Sequence, residues 1–405
     1  MRRREFLALG AVPLLAGCPF DLLDGVTNEC RVAPAIARHP LVLRAWNGLR
    51  ADQVWDMHVH LFGNGRSKQG IYVEPGFDSP RSPAMLARRR FFMNAGCVGE
   101  YDDGTDDRMV ARLATIADQM PAGAKVMLLA FDLPHGDDGH GHRHLATFGV
   151  TNDYARRIAA ARPDRFEWIC SIHPYRGDAV ESLEAAKRDG ARAVKWLPPS
   201  QGIDLTSPRC VPFFEAARRL DMPLLVHVGE EKAAPGAGRH EFANPLHLRA
   251  PLDRGVRIIA AHCGTLGVSA DLDKDPNADK APHATSFSLF ERLMADRRYE
   301  GLLFGDISAI TQANRPGAVP AILAHEEWDG RLLNGSDYPL PGVLPLFSLG
   351  GLAKEGVLEE SLLPGLREIR HANALLFDLV VKRNLRHRGR GFSARTFETR
   401  GFFER

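Results

Sequence analysis

The sequence predicts an α/β protein folded as a (β/α)8 TIM barrel, and three observations predict it. From about residue 50 to residue 380, eight short apolar, β-branched runs alternate with longer amphipathic segments, and no linker cuts the region in two. Strands that alternate with helices pair in parallel through right-handed crossovers, and eight such units close naturally into a barrel. An open doubly wound sheet would place a glycine-rich phosphate loop after its first strand. Here that position reads His58-Val59-His60-Leu61-Phe62-Gly63-Asn64-Gly65 instead.

The elements follow in chain order. Arg2, Arg3 and Arg4 precede an uncharged run over residues 6–17, which is too short to span a bilayer and suits the core of a signal peptide. Arg3-Arg4-Glu5-Phe6-Leu7 resembles the twin-arginine export signal, and Leu15-Ala16-Gly17-Cys18 resembles a lipoprotein processing site. The expectation is that residues 1–17 are removed as a signal peptide and that Cys18 is acylated. The mature chain would then sit on the periplasmic side, lipid-anchored to a bacterial membrane. Residues 18–50 read as an N-terminal linker segment, 51–382 as the barrel and 383–405 as a C-terminal tail. Strands are expected over residues 53–60, 125–131, 166–173, 191–197, 223–228, 256–262, 301–307 and 331–336. Helices are expected over 152–162, 179–188, 212–220 and 287–297. In the last of these, Phe290, Leu293 and Met294 fall at i, i+3 and i+4 and form one apolar stripe. The locally basic stretch 382–390 reads as solvated.

Composition excludes several classes. With 44% apolar and 25% charged residues among 405, the chain has the profile of an ordinary soluble globular protein with room for a large core. Its 52 Lys and Arg nearly cancel its 50 Asp and Glu, so no bulk charge draws it to nucleic acid. Beyond Cys18, the cysteines Cys30, Cys97, Cys170, Cys210 and Cys263 are scattered and include no CxxC pair. They resemble neither a zinc cage nor a disulfide framework, an odd number leaves at least one unpaired, and most are expected as buried small hydrophobes.

The chemistry concentrates at strand ends. Asp56, His58 and His60 lie two residues apart on the first strand, so simple alternation puts all three on one side, and two imidazoles presented together bind one cation. Asp56, a step deeper, is placed to orient a ligating histidine by accepting its other N–H. Lys195 ends the fourth strand, His227 the fifth and His262 the sixth; Asp306 lies near the end of the seventh and Asp337 follows the eighth. Successive members are about one βα unit apart, so a barrel returns all of them to the same C-terminal rim, where barrel active sites are built.

At these residues the chain resembles the amidohydrolase superfamily, in particular its amidohydrolase-2 branch. The motifs that carry the resemblance are Asp56-Met57-His58-Val59-His60, Gly190 to Lys195 with Pro198-Pro199, Leu225-Val226-His227-Val228-Gly229 and Ala261-His262-Cys263-Gly264. Asp306-Ile307-Ser308-Ala309, Gly335-Ser336-Asp337-Tyr338-Pro339 and a C-terminal helix with Asn373-Ala374-Leu375-Leu376-Phe377 complete them. The resemblance implies that His58, His60, His227 and Asp337 hold one divalent metal, expected to be zinc, with water completing its shell. It implies that Asp337 takes a proton from water, and that His262 holds the water or stabilises the oxyanion. Lys195 is ambiguous: carboxylated it would bridge two metals, and unmodified it is expected beside a single metal, turned toward Asp337 or another acid. His173, at the end of the third strand, is a candidate for touching substrate, with a packing role as its alternative. The loop over 61–106, with Arg81, Arg88, Arg89, Arg90, Phe91 and Phe92, reads as a lid for an anionic or aromatic substrate. The histidine-rich segment 135–144 reads as a solvated insertion.

Three functions compete on this reading. The first is hydrolysis of an amide, lactone or ester-like bond of a small molecule. The second, on the same metal site, is non-oxidative decarboxylation or hydration of an unsaturated or aromatic carboxylic acid. The third is a lipid-anchored binding protein without turnover, and the intact His262 and Asp337 argue against it. No nucleic-acid partner is expected, and a homo-oligomer is left open.

Overall fold

The computed structural model describes residues 25–79 and 81–404. The expected signal segment 1–17 and the acylation site Cys18 lie outside the described residues.

Eight parallel strands form the frame: β1 (Trp55–His60), β2 (Lys125–Leu129), β3 (Phe166–Ile169), β4 (Val194–Trp196), β5 (Leu224–His227), β6 (Ile258–Ala261), β7 (Leu303–Asp306) and β8 (Leu332–Leu333). Every one lies inside an expected run. Strands β1 to β3 form one continuous ladder and β4 to β8 another, with neighbours in chain order throughout. The two ladders meet at both edges through isolated parallel bridges, Cys170 to Val194 and Val59 to Tyr338. Backbone bonds from Lys195 N–H to Cys170 O (2.7 Å) and from His60 N–H to Tyr338 O (2.9 Å) carry those junctions. The fold is the (β/α)8 barrel.

Alternation along the strands sorts the core into two layers. Met127, Leu129, Ala193, Leu225, Ile259 and Ala261 point inward and pack on one another. Val126, Leu128, Val194, Val226, Ile258 and Ala260 point outward against the helices. The facing helices are α1 (Pro83–Ala95), α2 (Thr105–Asp118), α3 (Asn152–Ala161), α4 (Ala179–Arg188), α5 (Val211–Arg219), α6 (Ser286–Ala295), α7 (Ala318–Leu323), α8 (Leu363–Ala372) and α9 (Ala374–Asn384). In α6 the stripe of Phe290, Leu293 and Met294 is buried as expected. Thr151 and Thr285 start α3 and α6 by accepting the N–H groups of Tyr154 and Ser288. No helix among the described residues is long and apolar enough to cross a membrane.

Three expectations change. The register of β1 against β2 shifts between Asp56 and Val59. Trp55 and Met57 therefore belong to the inner layer while Val59 belongs to the outer one, and Asp56 does not share a side with His58 and His60 as simple alternation required. The C-terminal residues are not a solvated tail: Lys382 and Leu385 are buried, and Phe402 and Phe403, each 6% exposed, pack into the inner layer. Arg257 donates to Phe402 O (2.8 Å) and fixes that plug. Finally, Cys30 and Cys97 form a disulfide that the scattered spacing did not suggest, while Cys170, Cys210 and Cys263 are buried and free, as most of the five were expected to be. A bond across 67 residues leaves no local spacing for a sequence to show.

Candidate active site

Each group reaches the rim for a local reason. The register shift re-aims His58 and His60 toward the strand end. Lys195 and His227 follow Ala193 and Leu225 by two residues and inherit their inward direction. His262 and Asp337 come just after their strands in left-handed backbone, with φ of 57° and 61°. Such a conformation costs a non-glycine residue about 1–3 kcal/mol, and here it falls at the rim, with Cys263 and Ala309 sharing it. Gly335 precedes the Asp337 turn because a Cβ there would collide with the His58 side chain. Lys382, wholly buried, donates to Gly335 O (2.6 Å) and Asp378 (2.7 Å), and Asp56 accepts the N–H groups of Ser336 (2.8 Å) and His58 (3.2 Å). Asp56 thus holds the backbone of the Asp337 turn and does not orient an imidazole; burial raises its pKa to about 6.

The orienting acid is Asp306, whose Oδ2 accepts from His58 Nδ1 at 2.7 Å. That bond fixes the tautomer and leaves Nε2 of His58 as an acceptor. Asp337 Oδ1 lies 3.5 Å from His58 Nε2 and 3.3 Å from His60 Nε2. These three donors fall within 4.8 Å of one another. His227 stands at the edge of the group, its ring 5.2 Å from that of His262 and its Nε2 3.4 Å from Glu231 Oε2. That Nε2 is buried without a hydrogen-bond partner among the described residues. Buried imidazole nitrogens, one of them orphaned, around a carboxylate fit a divalent cation.

Burial favours the neutral form of His58, His227 and His262, the form that binds metal. Burial lowers the pKa of His227 to about 4 and holds His58 and His262 below the usual histidine range. Asp337 is well below its ordinary range: burial works against its ionisation, but the neighbouring His58, His60 and His262 outweigh it. Among the described residues Lys195 makes no ion pair with the acid expected for it, although Asp337, Asp306 and Glu231 act on its charge from further off. Its Nζ lies 3.1 Å from His58 Nε2, and burial lowers its pKa to about 8. His262 Nδ1 approaches Ser308 O (3.2 Å) and Oγ (2.8 Å), while Ser308 Oγ is itself short to Asp306 Oδ2. A carbonyl only accepts, so Nδ1 carries the proton and Nε2 of His262 is an acceptor toward the cavity.

Above the cluster lies a cavity of two lobes, about 130 Å³ and about 100 Å³, that share His227, His262, Asp337 and Glu231. Helix α1 lines it with Phe92 and, in the first lobe, Arg88 and Phe91. Arg81 and Arg90 are exposed, however, and Arg89 binds Phe77 O, so Arg88 alone of those arginines lines the cavity. His173 lines neither lobe: Nε2 is bonded to Gln201 O (3.0 Å) and Nδ1 accepts from Tyr175 N–H (3.2 Å), which is the packing role. In the segment 135–144, His135 stacks near His173, and no group of three metal-binding side chains forms there among the described residues. Glu231, Ser308, Gln312, Asn314 and Arg315 were not singled out from sequence. Their signal was position: each follows β5 or β7 in a loop that a barrel directs to the active rim.

A family model described as Amidohydrolase matches residues 55–354. The chain is similar to an uncharacterised TIM-barrel protein from Bordetella bronchiseptica (16% identity, 73% of this chain and 88% of that one, TM-score 0.44). It is similar also to a probable 2-pyrone-4,6-dicarboxylic acid hydrolase from Acinetobacter baumannii (14%, 81% and 99%, 0.44) and to a 5-carboxyvanillate decarboxylase from Sphingomonas paucimobilis (14%, 78% and 98%, 0.39). No protein among the curated sequences matches it.

Proposed function

The chain belongs to the amidohydrolase family whose model it matches, and from that premise we propose that it is a metal-dependent hydrolase of an amide, lactone or ester-like bond. The observation that carries the reading is the approach of His58 Nε2, His60 Nε2 and Asp337 Oδ1 beside a two-lobed cavity, with all three residues lining one lobe and Asp337 lining both. His58, His60, His227 and Asp337 are the residues that would hold the metal. When bound, a divalent cation lowers the pKa of water toward ~7 and polarises a carbonyl. Zinc suits this nitrogen and oxygen set.

The chain's own groups divide the remaining work. Asp337, ionised at neutral pH, accepts the proton of the attacking water and returns it to the leaving group. His262, with Nδ1–H given to Ser308, accepts a hydrogen bond from that water and orients it. Of the two roles its sequence context implied, this tautomer supports holding water over stabilising an oxyanion. Helix α1 excludes bulk solvent from the reacting bond. Export belongs to the same proposal. Supporting it are the Arg3-Arg4 segment with its apolar run and the Cys30–Cys97 disulfide, a bond that persists in oxidising compartments.

The test is a panel of lactones, amides, esters and aromatic acids offered to the metal-loaded protein. Acyl-bond hydrolysis is the expected outcome. Release of carbon dioxide from an acid, with no acyl substrate turned over, would replace hydrolysis by decarboxylation.

A further inference from the structure

The two lobes above the cluster differ in chemistry. One is walled by Phe62, Phe77, Phe92, Phe131 and Phe148, whose rings pack at centroid separations from 5.0 to 6.5 Å. The other carries Gln312, Asn314 and Arg315, from the loop after β7. Gln312 and Arg315 are each 7% exposed, yet Gln312 Nε2 and Asn314 Oδ1 have no hydrogen-bond partner among the described residues. A buried amide left unpaired is unfavourable unless something completes it, and these amides line a cavity that can admit it. Arg315 is held in place beside them: Nη1 donates to Thr265 Oγ1 (2.9 Å), and that hydroxyl donates to His262 O (2.7 Å). Glu231, the acid where the lobes join, already faces His227 and the backbone N–H groups of Ala233 and Ala234.

From this we infer that the substrate is bipartite: an acyl compound whose aryl or similarly apolar acyl group fills the phenylalanine lobe and whose leaving group bears a carboxylate received by Arg315 and Gln312. The inference rests on the hydrolase reading for the bond between the two parts and names the class of molecule it cuts. A guanidinium and an amide N–H together match a carboxylate, and Asn314 Oδ1 accepts from a donor next to it. In the reaction, water oxygen bonds to the acyl carbon as the carbon–nitrogen bond breaks. One water proton goes by way of Asp337 to the departing nitrogen, and the products are an apolar carboxylate and a carboxylate-bearing amine.

The experiment compares N-benzoylglycine with N-benzoylglycinamide, by titration calorimetry and by hydrolysis, on the metal-loaded wild type and on Gln312→Glu and Arg315→Met. The expected result is at least tenfold tighter binding of the acid by the wild type, with the preference abolished in both variants. Gln312→Glu keeps the side-chain volume, so its effect is readable even if Arg315→Met fails to fold. Equal binding of acid and amide, or no binding of either, overturns the inference. Discrimination without turnover would keep the ligand class and defeat the hydrolase reading; turnover of both at equal kcat/KM would do the reverse.

Discussion

His227 carries the sharpest consequences among single residues, because its Nε2 is buried with Glu231 3.4 Å away and no hydrogen-bond partner among the described residues. Replacing it with Ala removes a ligand, and metal content should fall well below the one equivalent per chain expected of the wild type. His262→Asn and Lys195→Ala should instead keep about one equivalent while activity drops, by roughly 10²–10⁴-fold where a proton-handling contact is lost. Elemental analysis beside rate measurements separates the two patterns. In the metal-free chain the depressed pKa of His227 also has a stability sign. Above pH 6.5 neither folded nor unfolded His227 is protonated and its full contribution is present. As the pH falls from 6.5 to about 4, the unfolded chain takes a proton that the folded chain refuses, and stability is lost on the order of 3 kcal/mol. Thermal melts across that window should show the loss, and His227→Gln should flatten it. The residues legible in sequence were those fixed by strand ends: His58, His60, Lys195, His227, His262 and Asp337. Asp56 was misassigned because a one-residue register shift moves every later side chain to the other face. Gln312 and Asn314 were invisible because an unpaired amide is a property of packing.

At the level of elements, the strands stood where their continuous apolar runs put them, since both of their faces are buried, and the helices α3 to α6 stood where periodicity put them, since each has one buried face. The C-terminal segment did not, because Phe402 and Phe403 bury themselves against strands far away in sequence, and no local period records that. Phe402 stacks edge-on with Phe304 at 4.7 Å and closes the bottom of the barrel. Phe402→Ala should therefore cost about 3–5 kcal/mol in denaturant unfolding, as for a buried aromatic, whereas an exposed tail would lose almost nothing. Helix α1 is a different kind of element, since Arg88 donates to Lys232 O and Ala233 O at 3.3 Å and ties the lid to the loop after β5. The sequence showed that loop 61–106 was long and rich in arginine and phenylalanine. Which arginine turns inward depends on the helix phase, and on the Cys30–Cys97 bond that pins the end of the helix.

For the whole molecule, the barrel explains why so few residues suffice. Closing the ring through the Val59 to Tyr338 bridge brings His58 and His60, from the first strand, beside Asp337, which follows the last. Residues far apart in the chain, proposed above as metal ligands, thereby become neighbours on rigid strand ends. The two lobes meet at His227, His262, Asp337 and Glu231, which is the arrangement the bipartite substrate proposed above requires. The most direct measurement of the central claim is a crystal structure of the metal-loaded protein with an anomalous-scattering map. The account predicts one peak per chain at ~2.0–2.2 Å from His58, His60, His227 and Asp337, with Lys195 unmodified. Two peaks bridged by a carboxylated Lys195, or a single peak bound elsewhere, would contradict it.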